Sequence, residues 1–130
     1  MNYSLHIELD RPFGETLTQV KESLAESGFG ILTEIDLQKT LKNKINVDVD
    51  EQVILGACNP RFAHQGLQVE PSLGLLLPCN VVVRRSAGLT VVEAIDPQTM
   101  VTISENAQME ALADEVRTAL TAALDRVATG

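Results

Sequence analysis

Aromatic side chains are nearly absent from this chain: Tyr3, Phe13, Phe29 and Phe62 are the whole inventory in 130 residues, and there is no tryptophan. Proteins that grip single-stranded nucleic acid need rings on which bases stack, so that class is disfavoured at once. Positive charge is also scarce. Lys and Arg number 10 against 18 Asp and Glu, a net charge of −8, which repels phosphate backbones and anionic lipid surfaces alike. Neither nucleic acid nor membrane is an expected partner. The strongest apolar stretch, Leu73 to Val83, is interrupted by Pro78 and Asn80 and falls well short of the roughly 18 apolar residues of a membrane span. It reads as a buried strand. Two cysteines make no disulfide framework and lack the four-ligand spacing of structural zinc, so free thiols are expected. Neither a Cys-x-x-Cys pair nor a phosphate-cradling glycine loop is present, and no cofactor is implied. Met1 to Asp10 alternates polar and apolar residues from the outset, unlike a cleavable leader, which predicts a cytoplasmic protein.

What the chain does have is enough apolar material, 45 % of its residues, to build one core, and a length that fits a single domain spanning 1–130. Tyr3, Leu5, Ile7 and Leu9 alternate with polar neighbours, the period of a half-buried strand. Phe13, Leu17, Val20 and Leu24 then recur at helical spacing, predicting a helix over 14–27 that Gly28 stops. A second strand follows from Phe29 to Asp36, with Gly30 as a candidate bulge or close backbone approach. Asp36 can cap a short helix carrying Leu37 and Leu41, and 45–51 reads as a charged turn. Val53 begins a third strand that runs into Cys58.

Asn59 followed by Pro60 signals a helix start, and that helix is predicted to end before Pro71. Leu73 to Arg85 reads as one long strand, buried on both faces or kinked at Pro78. Ser86, Ala87 and Gly88 turn the chain into a partner strand, Leu89 to Ile95, which Asp96 and Pro97 stop. After a short segment at Met100 to Ile103, Ser104 is placed to cap a closing helix with a stripe of Met109, Leu112, Val116, Leu120, Leu124 and Val127. The order β-α-β-α-β-α-β-β-α favours an α+β sandwich with helices on one face.

The most informative feature is a pair of near-mirror tripeptides: Cys58, Asn59, Pro60 closes one apolar run, and Pro78, Cys79, Asn80 interrupts another. Both cysteines thus stand where a strand bends, ends or hands over to a helix. These six residues are the candidate ligand-binding site.

Several segments together resemble the prokaryotic domain-of-unknown-function family three-zero-two. They are 28–37 (Gly-Phe-Gly-Ile-Leu-Thr-Glu-Ile-Asp-Leu), Ile54 to Pro60 with Ala63, Glu70 with Pro71, 74–83 (Gly-Leu-Leu-Leu-Pro-Cys-Asn-Val-Val-Val), and Asp96, Pro97 and Met100. The resemblance spans nearly the whole chain. It implies a compact α+β fold similar to the TATA-binding-protein-like class, with a curved antiparallel sheet backed by helices, a homodimer, and no DNA binding. The chain departs from the family's pattern at Asn46, where a glycine is usual after the lysine-bearing helix, and at Gln52 or Val53, where an aromatic is usual. Function lives in sites grafted onto folds, so the resemblance assigns no activity.

Chemically, a Cys58 just before a helix would have its sulfur near unpaired amides and the positive dipole end, a setting that favours thiolate. It could then serve as a nucleophile, a redox thiol or a soft-metal ligand, with Cys79 as neighbour and His64 as base or third ligand. The bland reading is that free cysteines are small apolar core residues and that His64 is a solvated helix residue. Asn59 and Asn80 could hold an anionic ligand with the amides of the residue-60 helix, or merely cap and turn. An Asn80 inside an apolar run would need buried partners. Glu34, Asp36 and Glu70 read as surface or capping carboxylates. Two functions follow: a homodimeric ligand-binding or interaction module with a site near the two motifs, and a thiol-dependent enzyme or redox protein using Cys58. A soft-metal binder stands third. No nucleophile has an adjacent base in the sequence, so the module is the expectation.

Overall fold

In a computed structural model, which describes residues 3–130, the five strands form one open antiparallel sheet in the order β1-β5-β4-β3-β2. The strands are β1 (Ser4–Leu9), β2 (Gly30–Asp36), β3 (Gln52–Cys58), β4 (Cys79–Ser86) and β5 (Leu89–Ile95). Five helices accompany them: α1 (Phe13–Glu26), α2 (Leu37–Ile45), α3 (Pro60–Val69), α4 (Gln98–Ser104) and α5 (Glu110–Thr129). The fold is α+β with the sheet backed by helices, as expected. No helix among the described residues is long and apolar enough to cross a membrane.

Strand register explains which face is buried. Leu5, Ala94, Val81 and Leu55 form one row across the sheet, and Ile7, Val92, Val83 and Val53 form the next. Alternation sends both rows to the same side, where Val20, Leu24, Leu120 and Leu124 of α1 and α5 meet them. The intervening residues face the open side: Ile35, Ile54, Val82, Glu93 and His6 share one such row. On that side Arg84 Nε donates to Glu93 at 2.9 Å, while His6 lies 3.1 Å from Glu8 and 3.4 Å from Glu93. Partial burial alone would raise the Glu93 carboxyl. The hydrogen bonds and charges of Arg84 and His6 outweigh it and bring the group below its ordinary value.

Several helix ends follow the sequence signals. Behind α1, Gly28 adopts φ 87°. Its N–H reaches the Ala25 carbonyl at 3.1 Å and the Phe29 N–H reaches Leu24 at 2.9 Å, the paired bonds of a Schellman stop. Asp36 accepts from the Lys39 N–H at 3.0 Å, and α2 closes on Asn46 in the left-handed region at φ 55°. Glycine suits that conformation best and asparagine next, which accounts for the departure at Asn46. The β4–β5 hairpin turns on Ala87 and Gly88, both at positive φ, as a two-residue primed turn requires. Ser23 Oγ donates to the Ala123 carbonyl at 2.6 Å, so α1 and α5 approach closely through small residues. Arg11 completes the far end by donating to the last carbonyls of α5, Val127 at 2.6 Å and Ala128 at 3.2 Å.

The structure corrects four expectations. Leu73 to Arg85 is not one strand: Pro71–Leu76 is a 3-10 turn and β4 begins at Cys79. Pro71 and Pro78 cannot donate to a ladder, and Gly74 offers no side chain to hold one. The bulge lies at Leu32 rather than Gly30, between the pairs Ile31–Ala57 and Thr33–Gly56. Met100 to Ile103 belongs to a full helix, α4, whose first free amide, Gln98 N–H, is accepted by Asp96 Oδ1 at 3.0 Å. Ser104 therefore ends a helix instead of capping one. α5 starts at Glu110, after a 3-10 turn capped by Asn106, which accepts from Gln108 N–H at 3.0 Å. Asn106 also donates to the Val69 carbonyl at 2.8 Å and to Glu70 at 3.0 Å, tying the end of α3 to the start of α5.

Gly56 is the tightest backbone position. A Cβ there would overlap Thr33 Oγ1 and stand 2.7 Å from Pro78 Cγ, so the Pro78 ring and the Thr33 hydroxyl close over the glycine. Overpacking of this kind costs about 1–3 kcal/mol. Gly56→Ala is therefore expected to lower the free energy of unfolding, measured by urea denaturation, by that amount. Gly14→Ala, in the first turn of α1 where nothing lies within 4 Å, is expected to be neutral or to add up to about 1 kcal/mol. Equal effects of the two changes would show that the Pro78 contact carries no weight.

Candidate functional site

The register of β3 and β4 brings the two tripeptides together. Ala57 pairs with Cys79 and Gly56 with Asn80, so the last residues of one strand lie beside the first of the other. Alternation then separates their roles. Cys79 falls on the helix-covered side with Ala57 and is buried, whereas Asn80 falls on the open side and is exposed. The expected desolvation cost of Asn80 is thus never incurred, because its amide meets solvent.

Asn59 caps α3. Its Oδ1 accepts from the Arg61 N–H at 3.0 Å and the Phe62 N–H at 3.3 Å, and Pro60 occupies the first helical turn, where its missing donor is harmless. On the other side, a Cβ on Gly28 would stand 3.0 Å from Asn59 Nδ2. The asparagine amide is therefore held between the α1 stop and the α3 start, and its oxygen is already engaged. His64 lies exposed on α3. Glu34 pairs with Lys21 at 2.6 Å, Asp36 caps α2, and Glu70 accepts from Asn106. All three have the surface and capping roles expected of them.

Three of the six predicted site residues, Cys58, Asn59 and Cys79, line one cavity beneath the sheet's end. Its remaining wall comes from α3, the 3-10 turn, α4 and α5, through side chains such as Phe29, Phe62, Leu73, Met100, Met109 and Val116. Pro78 and Asn80 instead line a neighbouring groove with Leu76, Ile95 and Ile103, and Met100 is common to both. Pro60 lines neither.

The cavity exists because the sheet runs out of large side chains. Below the valine row and the Leu55–Val81 row comes Ala57 beside Cys79, and the helices opposite contribute Ala63 and Ala113. The volume left open to the centre of a water molecule is about 30 Å³. One water requires about 10–15 Å³ by that measure, so the space suits one or two waters or a single ion. Met100 and Met109 were missed as wall residues from the sequence. In the sequence Met109 belongs to a helical core stripe, and Met100 to a short segment and to the family resemblance.

Burial pushes the Cys79 thiol up from 9.0 to about 11, and the charge of nearby Cys58 adds to the rise. At neutral pH Cys79 is a protonated thiol, poorly suited to nucleophilic attack. Among the described residues, no three His, Cys, Asp or Glu side chains gather closely enough to hold a metal ion. The raised thiol has a linkage consequence. Folded and unfolded chains both keep the proton below pH 9. As pH climbs from 9 towards 11 the unfolded chain releases it first, and stability falls. Wild type is therefore expected to lose about 2 kcal/mol more than Cys79→Ala between pH 8 and pH 10.5, measured by urea unfolding at both values. Parallel losses in the two proteins would show that Cys79 is not held protonated.

The comparisons with known proteins concern the whole chain. The profile of the family described as "Domain of unknown function DUF302" matches residues 5–127. A crystal structure of an uncharacterized conserved DUF302 protein from Bacillus stearothermophilus superimposes with a TM-score of 0.91 at 28 % identity, covering 98 % of this chain and 99 % of that one. No curated protein matches. With the family profile matching residues 5–127 and the solved fold superimposing over 98 % of the chain, this chain belongs to the DUF302 family of domains of unknown function.

Proposed function

We propose that this domain is a homodimeric cytoplasmic binding module whose site is the cavity between the ends of β3 and β4. The observation that carries the reading is the convergence of Cys58, Asn59 and Cys79 on one small, mostly apolar space. Close packing is the default in protein interiors, and an opening ringed by four small residues departs from it at the place where the sequence also departs from simple strand patterning.

Self-association is supported at the sheet's edge. β2 is an outermost strand, and Leu32 and Ile35 on it are 65 % and 43 % exposed, with Ile45, Val47 and Val49 exposed just beyond. An open edge bearing apolar side chains invites pairing with a second copy. The thiol-enzyme alternative has less support: Cys79 is held protonated, and His64 stands exposed on α3 rather than in the cavity wall.

Xenon under pressure serves as the probe of the cavity, since it enters dry apolar spaces. Amide shifts are expected at Ala57, Cys58, Phe62 and Met100, and are expected to vanish in Ala63→Leu, which fills the wall. Absence of shifts in the wild type would overturn the site. Light scattering is expected to give twice the mass of one chain and to give a monomer for Leu32→Lys combined with Ile35→Lys. A monomeric wild type at micromolar concentration would overturn the dimer.

A further inference from the structure

The chain has five sulfur-bearing residues, two cysteines and three methionines, and four of them line this one cavity: Cys58, Cys79, Met100 and Met109. Met1 lies outside the described residues. The four come from separate places in the sequence: the end of β3, the start of β4, the first turn of α4 and the turn before α5. Only the tertiary fold assembles them. We propose that the cavity is a binding site for a soft monovalent cation, copper(I), held by the thiols of Cys58 and Cys79 with the thioethers of Met100 and Met109. This rests on the cavity being the binding site and names the class of ligand it takes.

Size and chemistry select the occupant together. A space of about 30 Å³ admits an ion, whereas an organic ligand would have to displace the wall. Hard cations are excluded because they need oxygen ligands, and no carboxylate lines the cavity. Structural zinc sites need four thiolate or imidazole ligands, and this cavity offers two thiols and no histidine. Thiolate with thioether is the donor set that favours copper(I). The sulfurs are also shielded: Cys79, Met100 and Met109 are 5 %, 7 % and 2 % exposed, while Cys58 is half-buried and marks the way in. The β3–β4 register, which sets Ala57 opposite Cys79, places Cys58 next to the residue that pairs with Cys79, independently of the cavity. Each thiol that binds releases its proton to solvent. Copper enters and leaves in the +1 state, so no electron is transferred.

The test is an anaerobic titration of the reduced chain with copper(I) against a chromogenic bidentate copper(I) chelator. One ion per chain is expected. Met100→Leu combined with Met109→Leu keeps the apolar volume nearly constant and is expected to weaken binding at least tenfold with an unchanged unfolding midpoint; Cys58→Ser is expected to weaken it by at least as much. If the double leucine chain fails to fold, Met100→Leu alone is expected to weaken binding, and X-ray absorption of the loaded wild type is expected to show copper surrounded by sulfur alone. Failure of the wild type to compete with the chelator overturns the proposal. So does dependence on Cys58 with no dependence on either methionine, which would mean a surface thiol had captured the metal. Xenon entry without copper binding overturns the copper site and leaves the binding module standing.

Discussion

The antiparallel pairing of β3 with β4, in the register that sets Ala57 opposite Cys79, is the constraint on which the rest of this structure depends. A slip of one residue would exchange the faces of a whole strand. A slipped β3 would take Val53 and Leu55 out of the core, and a slipped β4 would turn Cys79 away from the cavity. The register is specified twice over. Alternation in β4 and β5 puts Val81, Val83, Val92 and Ala94 on one side, each at most 1 % exposed. Gly56 then admits the Pro78 ring and the Thr33 hydroxyl at a spot where any side chain would collide. A tight glycine contact and a hydrophobic row thus select the same alignment.

From that register the surroundings follow. β3 ends beside the start of β4, so α3 must leave at Asn59, whose side chain supplies the cap and leans on Gly28. The same position brings the α1 stop against the α3 start, locking three segments with one amide. On the other side the chain re-enters through Pro78, and α4, capped from Asp96, lays Met100 over the junction. Asn106 then bonds the end of α3, which holds Met109 and α5 over the cavity. None of these contacts is large, but each fixes the direction of a chain segment at the one place where the sheet offers little to pack against.

Local signals in the sequence carried most of the secondary structure. The alternation of β1, the helical spacing of α1, the Gly28 stop, the Asn59–Pro60 start and the Ala87–Gly88 turn each depend on neighbours a few residues apart, and all were legible. The errors arose where an apolar run has more than one use. Leu73 to Leu77 is as hydrophobic as β4 but lies across the helical layer, because prolines at 71 and 78 deny it a ladder. The motif cysteines were recognisable as neighbours of a junction, yet their faces depend on strand parity, which sequence alone does not provide. Met109 was legible as part of a helical stripe and Met100 as part of the family resemblance, but not as wall residues, since the cavity they line with Cys79 is assembled from distant stretches of chain.

Whether the sulfurs mark a site or fill a core turns on what else the same positions would hold. A core selected for density alone would continue the pattern of the rows above, with Leu, Ile or Val at 57 and 79, because voids forfeit dispersion contacts on every wall. Instead the last row shrinks to alanine and cysteine, and Ala63 and Ala113 shrink with it from the helical side. Small residues on both layers leave the space that the unbranched methionine chains border. Met is the most adaptable side chain for irregular gaps, so its use here fits a core that yields to accommodate an occupant. A cavity lined by small residues could be dry packing loss, but the loss would be cheap to repair at Ala57 or Ala113 by one methylene at a time. Both layers keep the gap at the junction that Cys58, Cys79, Met100 and Met109 line, which is the arrangement the proposed binding site requires.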